Sequence, residues 1–375
     1  MSTAKVDSSK QGSYPTSERL PFGANGSLFM LSRLLLSENC ARDEAILRMT
    51  RAEFVDMAAL ASSNHVIIRA LNRFRAIVDE SGDAGRVAWA EDALQQEQAR
   101  IDNAVSFLQK ICSALEDANC RAVVIKSLDH WPDLGSDLDL YTDALPANVI
   151  GLMRQRFHAE LAHRSWGDRM ANKWNFLIPG LPESVEIHMR RLGQTGEQVS
   201  VANSVIRRAR SIHVGNHLFR VPSPEVRLMI CTLQRMYRHF YARLCDIADT
   251  AALLETNAVD FDLLRSSAQE AGIWEGVATL LAIVSDYVTC YRGYGVNLPS
   301  SVTSAARFGG DQIWFGRDFL RIPIMPHSAK LYASQLTSLM TKGELKNAAR
   351  LSVLPCLAAA AALQFKVTGS DKGIW

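Results

Sequence analysis

The sequence predicts an α+β fold in which a small mixed sheet lies between an N-terminal helical region and a larger C-terminal one. Apolar residues recur at helical spacing before residue 119 and after residue 223. Between these positions, short β-branched or alternating segments predict strands. We therefore divide the chain into a flexible tail at 1–26, a helical region at 27–119, a mixed core at 120–222 and a helical domain at 223–375.

The N-terminal region shows the three- and four-residue periodicity of amphipathic helices. Leu28, Leu31 and Leu34 follow this spacing, and Phe54 opens a second segment of the same kind. A third run, at 86–118, places its apolar residues on one face and its charged residues elsewhere. No stretch of this region alternates in the way that a strand does.

The core carries the strand signals. An amphipathic helix at 147–163 interrupts them, and Pro179-Gly-Leu-Pro182 is interpreted as a turn between two strands. Ser223 and Pro224 then predict the start of a C-terminal helix, with the serine as N-cap and the proline at the first helical position. The predicted strands are 121–126, 137–141, 174–178, 184–189 and 217–221.

Composition excludes several classes of protein. The chain has 375 residues, which is enough for two domains, and 41 basic against 39 acidic residues give a formal net charge of only +2. The net charge of the chain is therefore too small to attract it to nucleic acid or to acidic membranes. Seven cysteines without a Cys-x-x-Cys pair indicate reduced thiols, and the apolar run at 351–365 is too short to span a membrane. We expect a cytoplasmic protein; the sequence leaves its oligomeric state open.

Two aspartates on one predicted strand form the first candidate site. Asp137 and Asp139 are two residues apart, so their carboxylates leave the same face roughly 6 to 7 Å apart. A buried face with two like charges needs a cation, and a divalent metal that prefers oxygen ligands supplies it. The alternative is a solvated strand edge, because so short a motif also arises by chance. A third acid, Glu186, lies on a later predicted strand, and three such acids can bind two cations for phosphoryl chemistry.

Four segments then resemble a known family in their order and spacing. They are Val-Ile-Lys-Ser at 124–127, Ser-Asp-Leu-Asp-Leu-Tyr at 136–141, Val-Glu-Ile-His at 185–188 and Leu-Cys-Asp-Ile-Ala at 244–248. The pattern is similar to that of the DNA polymerase β-type nucleotidyltransferases. It resembles more closely that of the family of uncharacterised nucleotidyltransferases, over about 120 residues.

The resemblance implies roles for five residues. Asp137 and Asp139 would hold two Mg²⁺ or Mn²⁺ ions, and Glu186 would bind the catalytic metal that polarises the acceptor hydroxyl. Lys126 and Ser127 would lie beside the triphosphate of the nucleotide donor. Ser127 stands where the family has glycine, so it allows close approach of phosphate to the backbone only if its φ stays negative. Weakened nucleotide binding and lost activity therefore remain open.

Five further residues are candidate phosphate or nucleotide contacts. Ser136 belongs to the turn before the acidic strand, while His188 and Arg190 follow Glu186. His188 could instead be a half-buried, hydrogen-bonded histidine, and Arg190 a solvated residue. The family places a histidine and a later aspartate on a helix at the cleft, which adds His239 and Arg243 to the candidates.

The same helix is predicted to carry a polar stripe. Arg235, His239, Arg243 and Asp246 fall at positions i, i+4, i+8 and i+11 of a helix that begins at Pro224. A stripe of this kind is usually exposed to solvent. Lys173 and three tryptophans near the site in sequence are ambiguous between core packing and substrate contact; the tryptophans are Trp131, Trp166 and Trp174.

The resemblance implies a magnesium-dependent enzyme that transfers a nucleoside monophosphate from a nucleoside triphosphate to a small molecule, a peptide or a protein. The acceptor group would be a hydroxyl or a phosphate. One alternative is a nucleotidyltransferase toxin that modifies tRNA, which the near-neutral charge disfavours. A second is a catalytically inactive module that binds nucleotides or partners. The sequence identifies neither the base nor the acceptor.

Overall fold

The computed structural model describes residues 27–38, 44–316, 318–357 and 360. The predicted tail at 1–26 lies outside the described residues, as do residues 361–365 of the apolar run. Helices surround a small mixed sheet, which confirms the α+β prediction. Among the described residues, no helix combines the length and the apolar character needed to cross a bilayer.

The described residues of the N-terminal part form five helices. Helix α3 begins with a capping box, in which the Thr50 side chain accepts from the Glu53 backbone and Glu53 accepts from the Thr50 backbone. Apolar side chains such as Leu31 and Phe74 are fully buried in a core shared with the C-terminal helices. The helices are α1 (Ser27–Leu36), α2 (Glu44–Leu47), α3 (Arg51–Ser63), α4 (Ile67–Glu80) and α5 (Ala84–Asp117).

The central sheet has five strands in the order β1-β2-β5-β4-β3. Strands β2 and β5 are parallel, and the other neighbours are antiparallel. A second hydrophobic core joins one face of β2 and β5 to α5 and α6, leaving the opposite face to polar side chains. The elements are β1 (Ala122–Val124), β2 (Asp137–Thr142), α6 (Pro146–Phe157), β3 (Glu160–Leu161), α7 (Trp166–Ala171), β4 (Lys173–Ile178) and β5 (Leu181–Met189).

Two predictions for the core need correction. The helix predicted at 147–163 ends at Phe157, because His158 adopts a left-handed conformation with φ of 50° and β3 follows. The strand predicted at 217–221 is present as β7 (His217–Pro222), but it pairs with β6 (Ala209–Val214) in a separate two-stranded sheet. Strand β6 was missed because most of its residues are exposed or half-buried, so it has no apolar alternation.

The C-terminal part is helical with one small sheet. Helix α9 begins as predicted, with Ser223 at the N-cap position and Pro224 at the first helical position, but the Ser223 hydroxyl donates to Glu225 Oε2 and does not cap the helix. The short strands β8, β10 and β9 pair in that order. Helix α8 (Val199–Arg207) precedes β6 in the chain, and the C-terminal elements are α9 (Pro224–Gln234), β8 (Tyr241–Ala242), α10 (Leu244–Glu255), α11 (Phe261–Glu270), α12 (Trp274–Arg292), α13 (Ser300–Thr303), β9 (Trp314–Phe315), β10 (Leu320–Arg321), α14 (Ala329–Thr341) and α15 (Leu345–Ser352).

The continuous helix predicted from Pro224 to Asp246 is wrong. A π-type turn follows α9 at 235–239, Phe240 has a φ of 53°, and α10 starts only after β8. The predicted solvent-facing stripe therefore does not form: Arg235 is 2% exposed, and its Nε lies 2.7 Å from Asp246 Oδ2. Asp246 also accepts the Arg243 backbone N–H and so caps α10.

Candidate active site

The register of the parallel pair brings the three predicted acids together. Asp139 on β2 lies beside Glu186 on β5, and Asp137 lies beside Ser184. The side chains of these residues share the face of the sheet opposite the hydrophobic core, since alternate residues of a strand point to opposite sides. Ser184 Oγ donates to Asp137 Oδ1 at 2.7 Å. All three carboxylates line one cleft between the sheet and the C-terminal part.

Two lysines offset the charge of the buried acids. Lys126 forms an ion pair with Asp139, and Lys173 Nζ lies 3.0 Å from Glu186 Oε1. Burial opposes ionisation of Asp139, but Lys126 and His188 outweigh it and hold the pKa of Asp139 below its usual range. Burial and the charge of Asp139 raise the pKa of Glu186, although both lysines oppose this rise. The lysines therefore favour the ionised forms of Asp139 and Glu186.

His188 belongs to the same group. Its Nε2 lies 3.6 Å from Asp139 Oδ1, and possible ligand atoms of Asp139, Glu186 and His188 all lie within 4.8 Å of one another. Burial lowers the pKa of His188 to about 4, although Asp139 acts in the opposite direction. A neutral imidazole can serve as a metal ligand.

The side chains present fit a divalent cation. Three carboxylates supply the hard oxygen ligands that Mg²⁺ and Mn²⁺ prefer, and Asp139 is only 7% exposed. A buried carboxylate needs a compensating positive charge. Lys126 meets part of this need at Asp139, and Lys173 does so at Glu186 although Asp168 shares its charge; a cation bound among the three acids would meet it more fully.

The turn before the acidic strand accommodates Ser127, the residue that stands where the resemblance implies a glycine. The positive φ of 61° falls on Lys126 and not on Ser127. The Ser127 backbone N–H donates to the Ile125 carbonyl at 2.6 Å, which closes a γ-turn around Lys126. Ser127 Oγ accepts the Asp139 backbone N–H at 2.7 Å and donates to the Asp137 carbonyl at 3.1 Å. The serine thus links the turn to both aspartates.

The C-terminal part supplies the opposite wall of the cleft. Burial lowers the pKa of His239 to about 2, and the charges of nearby arginines and Lys126 add to this effect. The Arg243 guanidinium carbon lies 5.6 Å from the Phe319 ring centroid and 6.0 Å from that of Tyr241. This stacking holds a positive charge at the cleft. The lining residues of this wall are Gln234, Arg235, Arg238, His239, Tyr241 and Arg243.

Most, but not all, of the predicted site residues line the cleft. His188 lines a neighbouring cavity and reaches the cleft through Asp139. Ser136 is exposed, and its Oγ donates to Asp137 Oδ2 at 3.4 Å. Arg190 is exposed beyond β5, where its backbone N–H donates to the Thr142 carbonyl. The predicted residues that line the cleft are Lys126, Ser127, Asp137, Asp139, Glu186, His239 and Arg243.

Several lining residues were missed from the sequence. His65 comes from the junction of α3 and α4, outside every motif, so no local pattern indicates it. His130 and Arg238 lie close to recognised motif residues, and this proximity is the one signal that could have identified them. Lys173, which the sequence leaves ambiguous, is a cleft residue. Trp166, 62% exposed, is not among the residues that line the cleft.

Comparison with known proteins agrees with this geometry. A family model described as "Uncharacterised nucleotidyltransferase" matches residues 59–289, which is more than half of the chain. No curated protein and no solved structure gives a significant match. The matched range contains every residue that lines the cleft, from His65 to Arg243. The chain therefore belongs to the family of uncharacterised nucleotidyltransferases.

Proposed function

We propose that the chain transfers a nucleoside monophosphate from a nucleoside triphosphate to a hydroxyl or phosphate group of a small molecule, peptide or protein, with Mg²⁺ or Mn²⁺ as cofactor. The main support for this proposal is the parallel register of β2 and β5. It puts Asp139 beside Glu186, and Asp137, two residues before Asp139 on β2, points to the same face of the sheet. Family membership supports nucleotidyl transfer as the reaction class.

The three acids would hold the cofactor. Asp137 and Asp139 lie on one strand and can share ligands between two ions, while Glu186 approaches from the neighbouring strand. When bound, divalent cations neutralise phosphate charge and activate the attacking oxygen in this class of reaction. Ser127 and Ser184 orient the aspartates, the first through the backbone of Asp137 and Asp139 and the second through the Asp137 carboxylate.

The positive side chains of the cleft would bind the triphosphate. Lys126 lies beside Asp139, and Arg238 and Arg243 lie on the opposite wall. Arginine and lysine donate charge-assisted hydrogen bonds to phosphate oxygens. Lys173 acts differently, because it pairs with Glu186 and opposes the rise in the pKa of that carboxyl, which favours the ionised form that binds a cation. Nucleic acid remains the disfavoured acceptor, because the formal net charge of the chain is only +2.

Thermal unfolding with nucleotides tests the binding step. We expect the melting temperature to rise with a ribonucleoside triphosphate and Mg²⁺ together; a ligand at about 100 times its Kd adds roughly 2.7 kcal/mol. Asp137→Asn should lose the shift. Asp143→Asn, which changes an acid paired with the exposed Arg121 near the end of β2, should keep it. No shift with any of the four ribonucleotides would favour an inactive interaction module.

A labelled donor tests the chemistry. When the donor is labelled at its α-phosphate, nucleotidyl transfer attaches the labelled nucleoside monophosphate to the acceptor and releases unlabelled pyrophosphate. Incubation of the chain with extracts fractionated into small molecules, peptides and proteins should therefore yield an α-labelled product. A product labelled only from the γ-phosphate would identify phosphoryl transfer and contradict the proposal.

A further inference from the structure

A second group of possible metal ligands lies at the same cleft, on residues outside the acidic strands. We call it the thiol–imidazole group; it consists of His65, His130 and Cys245. One ligand atom from each residue lies within 4.8 Å of the other two. The group draws on three distant segments, namely the junction of α3 and α4, the turn after β1, and the first turn of α10.

We propose that the thiol–imidazole group is a zinc site. The Cys245 Sγ and His130 Nε2 atoms are 3.9 Å apart. Two ligands at the usual Zn–S and Zn–N distances of a tetrahedral ion lie about 3.6 Å apart, so only a small contraction is needed. One thiolate and two imidazoles form a ligand set that favours zinc over magnesium. The proposal is independent of nucleotidyl transfer.

One ring nitrogen of His65 has no hydrogen-bond partner in the described part of the chain. Its Nδ1 is buried and has no hydrogen-bond partner among the described residues. The ring packs on Gly135, where a Cβ would lie only 2.8 Å from His65 Cε1. The absent side chain of Gly135 therefore provides the space that the imidazole occupies. A buried nitrogen without a partner is costly, and a metal ion would satisfy it.

The surroundings of His130 match those of a metal-bound histidine. Its Nδ1 lies 2.5 Å from Asp249 Oδ2, which leaves Nε2 to face Cys245. Asp249 is held in turn by Arg69, whose Nη1 lies 2.6 Å from its Oδ1. A carboxylate on the far nitrogen fixes the orientation of a ligating imidazole and raises its basicity.

The chain of contacts from Cys245 through His130 to Asp249 is also the arrangement of a catalytic triad, with a thiol nucleophile, a base and an acid that orients the base. The burial of Cys245 argues against that use, because its residue is 0% exposed and a substrate could not reach the sulfur. A metal ion needs far less access, and binding would release the thiol proton to solvent. His65 and His130 line the cleft, so a water molecule or a cleft ligand can supply the fourth position.

Cobalt substitution tests the proposal without nucleotide or turnover. The chelator-treated chain is titrated with Co²⁺ in excess Mg²⁺, which occupies the carboxylates. We expect one equivalent of Co²⁺ to bind with a thiolate-to-cobalt absorption band, and one equivalent of Zn²⁺ to displace it and raise the melting temperature. Cys245→Ser should remove the band. Asp249→Asn should weaken Zn²⁺ binding about 10- to 100-fold.

Matched variants identify the ligands. Cys231→Ser changes a thiol that contacts Asp246 and should leave the band unchanged. His65→Ala removes a half-buried ring at the cleft and should weaken Zn²⁺ binding at least 10-fold, even if Cys245→Ser does not fold. His213→Ala changes an exposed histidine and should have no effect. Absence of a thiolate band, a band that survives Cys245→Ser, or full Zn²⁺ affinity in His65→Ala would each overturn the proposal.

Discussion

Lys173 on β4 and Glu186 on β5 form an ion pair in which Nζ and Oε1 are 3.0 Å apart. The same ammonium lies 3.0 Å from Asp168 Oδ1. Burial disfavours the charge of Lys173, but Glu186 and Asp168 outweigh it and raise the lysine pKa. In return, Lys173 opposes the rise in the pKa of Glu186. The pair therefore favours the ionised form of one of the three candidate metal ligands.

Loss of the Lys173 charge should therefore change the pH dependence of ligand binding. In Lys173→Met, the pKa of Glu186 rises further, so Glu186 becomes protonated at a higher pH. We expect the stabilisation by Mg²⁺ and nucleotide to disappear at a higher pH than in the wild type as the solution is acidified. Lys173→Arg keeps the charge and is the control. Identical pH profiles for Lys173→Met and the wild type would contradict this role.

Ser127 should contribute to stability through the backbone of the acidic strand. Ser127→Ala leaves the Asp139 backbone N–H without the acceptor that now lies 2.7 Å away. A buried donor that loses its partner costs about 1–3 kcal/mol of unfolding free energy. Ser136→Ala, at an exposed serine in the same loop, should cost less than about 0.5 kcal/mol. Equal losses in the two variants, measured by denaturant unfolding, would be incompatible with the link.

The three acids should differ in their roles. Asp137→Asn and Asp139→Asn should abolish turnover and weaken Mg²⁺-dependent nucleotide binding, because each removes a ligand needed before chemistry begins. In Glu186→Gln, kcat should collapse while nucleotide binding largely survives. Isothermal titration and a turnover assay separate the two outcomes. Wild-type turnover in Glu186→Gln would contradict its role as the ligand of the catalytic metal. Asp168, which pairs with the same Lys173, would then be the next candidate for that role.

Glu183 is the weaker substitute for that role. Glu183 lies next to Ser184 on β5, so its side chain points to the face of the sheet opposite the three acids. There it pairs with Arg100 of α5.

His239 should make the chain less stable as the solution is acidified. Its pKa is about 2 when folded, against about 6.5 in an unfolded chain, so only the unfolded form gains a proton between these values. The contribution of His239 is complete above pH 6.5 and falls as the pH falls. In His239→Gln, the slope of unfolding free energy against pH should decrease by about 1.4 kcal/mol per unit between about pH 4 and 6.

The matched control for this prediction is His213→Gln. The His213 side chain is exposed on β6, so its replacement should leave the slope unchanged. Urea unfolding at several pH values measures both slopes. A slope in His239→Gln equal to that of the wild type would show that the ring is accessible to protons when folded.

The sequence predicts the sheet side of the cleft well, because that side follows a simple rule. Asp137, Asp139 and Glu186 alternate with apolar residues, and alternation specifies which side chains share a face. The pairing of β2 with β5 could not be derived from the alternation alone. It depends on a crossover through α6, β3, α7 and β4, which tertiary packing decides.

The helical side of the cleft was predicted poorly for a different reason. Helical periodicity assumes a constant turn, and the π-type turn at 235–239 followed by the left-handed Phe240 breaks that assumption. Arg235 thus becomes a buried partner of Asp246, although its spacing indicated an exposed face. His65 and His130 were missed because their proximity depends on contacts between segments far apart in sequence.

The parallel pairing of β2 and β5 has a consequence for the order in which the protein folds. Ser184 contacts Asp137 across 47 positions of chain, and parallel strands cannot meet through a tight hairpin. During synthesis Asp137 and Asp139 are made before Lys173 and Glu186. The pairing of β2 with β5 must wait for the entire crossover, so the cleft assembles as a late, non-local event, and slow closure of this pair would limit the rate at which folded protein accumulates.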